Sequence, residues 1–262
     1  MPSTLPTQTR HALHGQYPQA SSVDDLLHNR AQIQLRIEAA CQRVGRDLSE
    51  VRLLPVSKTQ SLEMIRLAYA AGWRLLGENK VQEAQRKWEA TQDLHDLQWS
   101  VIGHLQTNKA RHVAQFASEF QALDSLRLAR ALDQRLQNFN RQLDVYVQIN
   151  TSGEDSKYGL SPEEAVSFVK ELSAFETLRV RGLMTLAMLS TQAKEVRQCF
   201  VRLRQLRDQL QQTVQSPEDF TELSMGMSGD FEIAIEEGAT VVRVGQAIFG
   251  ARSTPDSAYW PS

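Results

Sequence analysis

Cysteine is nearly absent from this chain: Cys41 and Cys199 are the only two in 262 residues. Two cysteines make no disulfide framework and no thiolate metal cluster. Both fall in helix-patterned stretches, where a buried thiol is the ordinary reading. A reducing cytoplasm is therefore the expected home. An excess of charge is also missing. Lys and Arg number 29 against 31 Asp and Glu, a formal charge of −2, so nothing advertises nucleic acid. No apolar run is long enough to cross a bilayer. The six histidines show no HExxH-like spacing, so no metal site is expected. His11 and His14 lie in a polar stretch and read as tail. Residues Met1 to Ser22 are rich in Ser, Thr, Gln and Pro and lack the apolar centre of a signal peptide. They are expected to form a flexible N-terminal extension (1–22).

What is present is regular alternation. Ile33, Ile37, Ala40, Cys41 and Val44 recur at helical spacing, predicting a first helix over about Val23 to Val44. Asp24 and Asp25 suit its start and Gly45 its stop. Eight short apolar runs follow, each separated from the next by a helical pattern. They begin near Arg52, Trp73, Gln98, Phe120, Leu143, Leu178, Thr221 and Thr240. The clearest is Leu143 to Asn150, alternating and rich in β-branched residues. Ser161-Pro162-Glu163-Glu164 reads as a helix start with a capping box. Eight strand–helix units over this length predict an α/β fold, a single (β/α)8 TIM barrel with an extra N-terminal helix over residues 23–252. The remaining residues, 253–262, would be a tail. A doubly wound open sheet is the runner-up. It is disfavoured because Lys58-Thr59-Gln60-Ser61, and not a glycine-rich fingerprint, follows the first strand.

Functional residues of a barrel gather at the C-terminal strand ends, and phosphates commonly sit after strands 7 and 8. Lys58 closes the first strand. Burial disfavours the lysine cation and favours the neutral amine, the nucleophile that condenses with an aldehyde. The plain alternative is a solvated loop lysine. Ser224-Met225-Gly226-Met227-Ser228-Gly229-Asp230 follows strand 7, and Gly245-Gln246 follows strand 8. Glycine lets backbone N–H groups approach a phosphate, Ser228 adds a hydroxyl, and the helices that follow offer their positive ends. A lysine for an aldehyde plus a cradle for a phosphate suggests pyridoxal 5′-phosphate (PLP).

Arg243 lies within the apolar run Val241-Val242-Arg243-Val244 and needs a partner, since it cannot shed its proton. That partner is either a barrel carboxylate such as Glu222 or the pyridine nitrogen of the cofactor. A permanently cationic arginine there leaves the ring a weak electron sink. Asn79, after the second strand, either approaches the ring or caps a helix. His104 either lines the pocket or is structural. Tyr158 is either an acid or base, or a packed ring.

Six segments carry a resemblance. They are Leu54-Pro55-Val56-Ser57-Lys58, Gly77-Glu78-Asn79-Lys80-Val81-Gln82-Glu83, Ile102-Gly103-His104-Leu105-Gln106-Thr107-Asn108-Lys109, Arg181-Gly182-Leu183-Met184, Leu223-Ser224-Met225-Gly226-Met227-Ser228, and Val242-Arg243-Val244-Gly245-Gln246-Ala247-Ile248-Phe249-Gly250. Together they resemble the YggS/PROSC family of PLP homeostasis proteins over roughly Asp24 to Arg252. The resemblance implies a barrel like the alanine racemase N-terminal domain, with Lys58 carrying PLP as an internal aldimine. It implies that Ser228, Gly245 and Gln246 hold the phosphate, that Arg243 faces the ring nitrogen, and that Asn79 and Met225 line the ring. Two positions depart from the family pattern. Gln246 stands where a small hydroxyl residue is common, and Ser100 where the third strand often carries histidine.

A carrier or regulator in vitamin B6 homeostasis, with no catalytic residues, is the expected function. The alternative is a racemase- or aldolase-like PLP enzyme acting on a small amino acid. Racemases of this type take a second base from a C-terminal domain, and this chain is expected to lack one. A cofactor-free Schiff-base aldolase would leave Arg243 unexplained. The expected partners are PLP and the PLP-dependent apoenzymes that receive it, with no nucleic acid and no membrane. The chain is expected as a monomer or a weak dimer.

Overall fold

Strands of three to seven residues, nearly all buried at their C-terminal halves, form the centre of the molecule. The computed structural model describes residues 17–154, 157–214, 217–218 and 220–251. Most of the expected extension (1–16) and the tail, including residue 252, lie outside the described residues, as do His11 and His14.

Helix α1 (Val23–Val44) starts where Ser22 and Asp25 form a reciprocal capping box and stops at Gly45, whose φ is 66°. The strands and helices then alternate. They run β1 (Arg52–Pro55), α2 (Leu62–Ala70), β2 (Leu75–Glu78), α3 (Val81–Ala90), β3 (Gln98–Val101) and α4 (Ala110–Phe116). The second half is β4 (Glu119–Leu123), α5 (Leu126–Phe139), β5 (Leu143–Gln148), α6 (Ala165–Leu172), β6 (Leu178–Met184), α7 (Ala193–Gln211), β7 (Glu222–Ser224), α8 (Phe231–Glu236), β8 (Val241–Val244) and α9 (Gln246–Phe249).

The eight strands follow one another in sequence order and are all parallel, with β1 beside β8. A single bridge between Val56 and Gly77, with Ser57 N–H donating to Gly77 O at 2.9 Å, closes β1 onto β2. Sequential order and closure rule out the doubly wound sheet and give a nearly closed TIM-type barrel.

Two helix starts differ from expectation. Glu164 accepts the Ser161 N–H, which is half of the expected capping box, but the Ser161 hydroxyl donates to the same carboxylate and Glu164 N–H goes to Ser161 O; Pro162 to Glu164 form turns, and α6 begins only at Ala165. Lys80, not Asn79, precedes α3, with no side-chain cap. Outside the barrel, α1 is tied to its last turns. Asn29 donates to Ile248 O at 2.9 Å, and Arg46 donates to Ile235 O and Ala239 O. The segment before α1 joins the same region: Ala20 N–H reaches Phe249 O and Ala251 N–H reaches Tyr17 O.

Candidate functional site

The expected site residues fall at the C-terminal ends of four neighbouring strands, β7, β8, β1 and β2. Val56 N–H donates to Val244 O at 2.8 Å, so the exit of β1 lies against that of β8. Met225 N–H donates to Val241 O and Arg243 N–H to Gly226 O, which ties the β7 turn to β8. Lys58, three residues past β1, is buried at 9% exposure, so the solvated-loop reading fails.

The backbone at Lys58 is unusual. Thr59 has φ +67°, a left-handed conformation that costs a β-branched residue about 1–3 kcal/mol. Its N–H donates to Glu83 Oε1 at 2.8 Å. On the other side, the Ser57 hydroxyl donates to Glu78 Oε1 at 2.6 Å. The ammonium of Lys87 donates to Ser57 O, Glu78 Oε1 and Glu83 Oε1 at 2.8, 2.7 and 2.8 Å. Burial raises the Glu78 carboxyl above its usual value, against the opposing pull of Lys87. Glu83 is less enclosed. There the hydrogen bond and charge of Lys87, with the Thr59 N–H, outweigh burial and hold the carboxyl low.

Arg243 is buried at 3% exposure and donates to Ser224 Oγ at 2.6 Å and Thr185 O at 2.7 Å. Burial without a facing carboxylate pushes its pKa down to about 10. The expected alternative partner, Glu222, is not its partner. Glu222 sits at the opposite mouth, where it accepts from Tyr146 at 2.6 Å and pairs with Arg52 and Arg181. The two ends are nevertheless joined. Ser224 Oγ donates to Gln121 Oε1, Gln121 Nε2 to Glu119 Oε1, and Arg52 to Glu119 Oε2. A directed hydrogen-bond chain thus links the Arg243 cation to the buried carboxylate of Glu119 through two neutral side chains.

The glycine turns leave little room for a side chain. At Gly226 (φ 92°) a Cβ would meet Ala234 Cβ at 2.7 Å, and at Gly245 it would meet Val56 O at 3.1 Å. Met227 N–H donates to Asp230 Oδ1 at 2.6 Å. Among the described residues, no protein acceptor takes the N–H of Ser228, Gly245 or Gln246. Helix α9 has only four residues, so a phosphate here would be held by these N–H groups more than by a helix dipole. Ser228, Gly245 and Gln246 are half-buried, Asn79 is half-buried after β2, and Met225 is fully enclosed.

His104 and Tyr158 stand farther around the rim, after β3 and β5. Their rings stack with centroids 3.9 Å apart, and His104 Nδ1 lies 3.4 Å from Asp124 Oδ2. Burial raises the Asp124 carboxyl, opposed by His104. Tyr158 is 57% exposed, so its ring packs on His104 at the surface and not in the core. Sequence reasoning missed Glu83, Lys87, Gln121 and Thr185. The i,i+4 spacing of Glu83 and Lys87 was the one available signal, and it ordinarily marks a surface pair.

The model of the alanine racemase N-terminal domain matches residues 28–253. The chain belongs to that family. A PLP homeostasis protein of Aquifex aeolicus is 42% identical over 217 residues, 83% of this chain and 94% of its own. One from Escherichia coli K12 is 40% identical over 232 residues, 88% and 98% of the two chains. The solved structure of PipY of Synechococcus elongatus PCC7942 with PLP bound aligns with TM-score 0.73 at 36% identity, covering 82% of this chain and all of that one. Alanine racemase of Clostridium difficile 630 aligns with TM-score 0.70 at 17% identity over 90% of this chain and 59% of its own, a likeness of fold.

Proposed function

We propose that this protein binds PLP through Lys58 as an internal aldimine and acts in PLP homeostasis as a carrier or regulator. The observation that carries the reading is a buried lysine and a buried arginine at the ends of neighbouring strands, beside one glycine cradle. Lys58 follows β1 and Arg243 lies in the neighbouring β8, and the N–H groups of Ser228, Gly245 and Gln246 in the adjacent turns have no protein acceptor among the described residues. The residues fit the group. Ser228, Gly245 and Gln246 would hold the phosphate, the last through its backbone N–H, since it lacks a short hydroxyl. Arg243 would donate to the ring nitrogen, with Asn79 and Met225 against the ring. The bound cofactor would supply an aldehyde to Lys58 and a conjugated ring to any adduct.

The protein's own residues argue against efficient amino-acid chemistry. Arg243 is anchored by a hydroxyl and a carbonyl, and no carboxylate among the described residues faces it to hold a proton on the ring nitrogen. That geometry keeps the electron sink weak. A PLP reservoir that serves apoenzymes in the cytoplasm, as a monomer or weak dimer, follows from this reading. Relatives named for PLP homeostasis support it. No helix among the described residues is long and apolar enough to cross a membrane.

The test is to load the protein with PLP and offer small amino acids, following racemisation, aldol cleavage and the cofactor spectrum. The carrier reading expects adduct exchange without turnover. Sustained turnover would replace it with the racemase- or aldolase-like enzyme.

A further inference from the structure

We propose that Glu83 and Lys87 are positioning residues for Lys58: they grip the backbone on both sides of it and so aim its amine. The inference rests on Lys58 being the attachment lysine and goes one step beyond that reading. On one side, the Ser57 carbonyl accepts from Lys87 Nζ at 2.8 Å. On the other, Thr59 N–H donates to Glu83 Oε1 at 2.8 Å. Lys87 Nζ then joins Glu83 Oε1 and Glu78 Oε1, so all three ammonium donors are used and the two grips form one unit.

The turn needs holding. Thr59 is β-branched with φ +67°, a conformation that such residues avoid. Its neighbour's side-chain direction follows directly from that backbone. Lys87 is only 5% exposed, on a helix whose charged residues would otherwise face water. A buried ammonium with two carboxylates is seldom the most stable filling for such a space, which suits a role in specifying one geometry. The device uses α3, packed behind β2 and β3, to set the direction of a side chain just past the end of β1. Glu83 and Lys87 are not among the residues proposed to hold PLP; they act through the main chain.

The test uses the intact chain and two readouts. One is the rate of forming a borohydride-reducible Lys58 adduct with added PLP. The other is the Kd for pyridoxamine phosphate, which has the ring and phosphate but no aldehyde. Glu83→Ala should slow the adduct about tenfold or more, the usual consequence of a misaimed nucleophile, while pyridoxamine phosphate binds as before. Glu83→Gln retains an Oε1 acceptor at the same place and should remain close to the wild-type rate. Adding Thr59→Gly to Glu83→Ala removes the left-handed penalty and should restore most of the rate. Glu83→Leu fills the space without an acceptor and serves if Glu83→Ala does not fold. A wild-type adduct rate in Glu83→Ala or Glu83→Leu would overturn the proposal. So would a matching loss of pyridoxamine phosphate affinity, or no recovery with Thr59→Gly. If reduction of the wild-type protein labels a lysine other than Lys58, the underlying reading fails, and the proposal with it.

Discussion

Removing the ammonium of Lys87 should damage the protein well beyond a surface substitution. Lys87→Met keeps the stem and the volume but deletes three donors, to Ser57 O, Glu78 Oε1 and Glu83 Oε1. Glu83 can turn outward. Glu78 cannot, because its side chain is 0% exposed and its Oε2 already lacks a partner among the described residues. Breaking a buried pair and stranding one charge costs about 3–5 kcal/mol. For a chain of this size that is a fall in Tm of roughly 6–20 °C. The loss should also depend on pH. Burial raises the Glu78 carboxyl above the usual glutamate value, and Lys87 opposes that rise. Without Lys87 the folded-state pKa climbs further. The folded state then binds more protons than the unfolded state, so stability falls as pH rises from about 4.5 toward neutrality. Adding Glu78→Gln removes the stranded charge and should recover part of the loss and flatten the pH dependence. Urea melts across that range, in a double-mutant cycle, read both effects. A change in Tm of under about 2 °C for Lys87→Met, or stability that rises with pH relative to wild type, would refute the reasoning.

Three further outcomes follow from the same geometry. Arg243→Ala should weaken PLP binding measurably at equilibrium without creating amino-acid turnover; wild-type affinity would show that the guanidinium does not face the ring. Ser224→Ala strands a buried Arg243 donor and the Gln121 carbonyl, at a cost of about 1–3 kcal/mol in a denaturant melt. Gly245→Ala places a Cβ 3.1 Å from Val56 O and crowds the cradle, so pyridoxamine phosphate affinity should fall roughly tenfold, about 1.4 kcal/mol, by titration calorimetry.

Much of the fold was legible because it depends on local pattern. The boundaries of α1 follow from Asp24 and Asp25 at its start, its apolar spacing and Gly45, and the structure places them at Val23 and Val44. The alternation of strands and helices predicted a parallel barrel, and the strand order bears it out. What failed was shorter or longer in range than a pattern can reach. The helix expected after Gly245 is a single turn of Gln-Ala-Ile-Phe, too brief to offer the dipole assigned to it. The partner of Arg243 was sought on the right strand but one layer away. Ser224 takes the hydrogen bond, while Glu222, two residues earlier, is drawn to Arg52 and Tyr146 at the other mouth. Glu83 and Lys87 look like an ordinary helical ion pair until the chain folds. Then Ser57, 30 residues before Lys87, is brought within 2.8 Å of its ammonium.

The central claim is that Lys58 carries the cofactor. The direct measurement is borohydride reduction of the PLP-loaded protein, read by absorbance and by peptide mapping, on wild type and Lys58→Ala. The account predicts one reduced pyridoxyl group per chain, on the peptide that contains Lys58. Lys58→Ala should lose that label and keep phosphate-anchored binding. A reducible adduct at full stoichiometry in Lys58→Ala, or a wild-type protein that binds no added PLP, would contradict it.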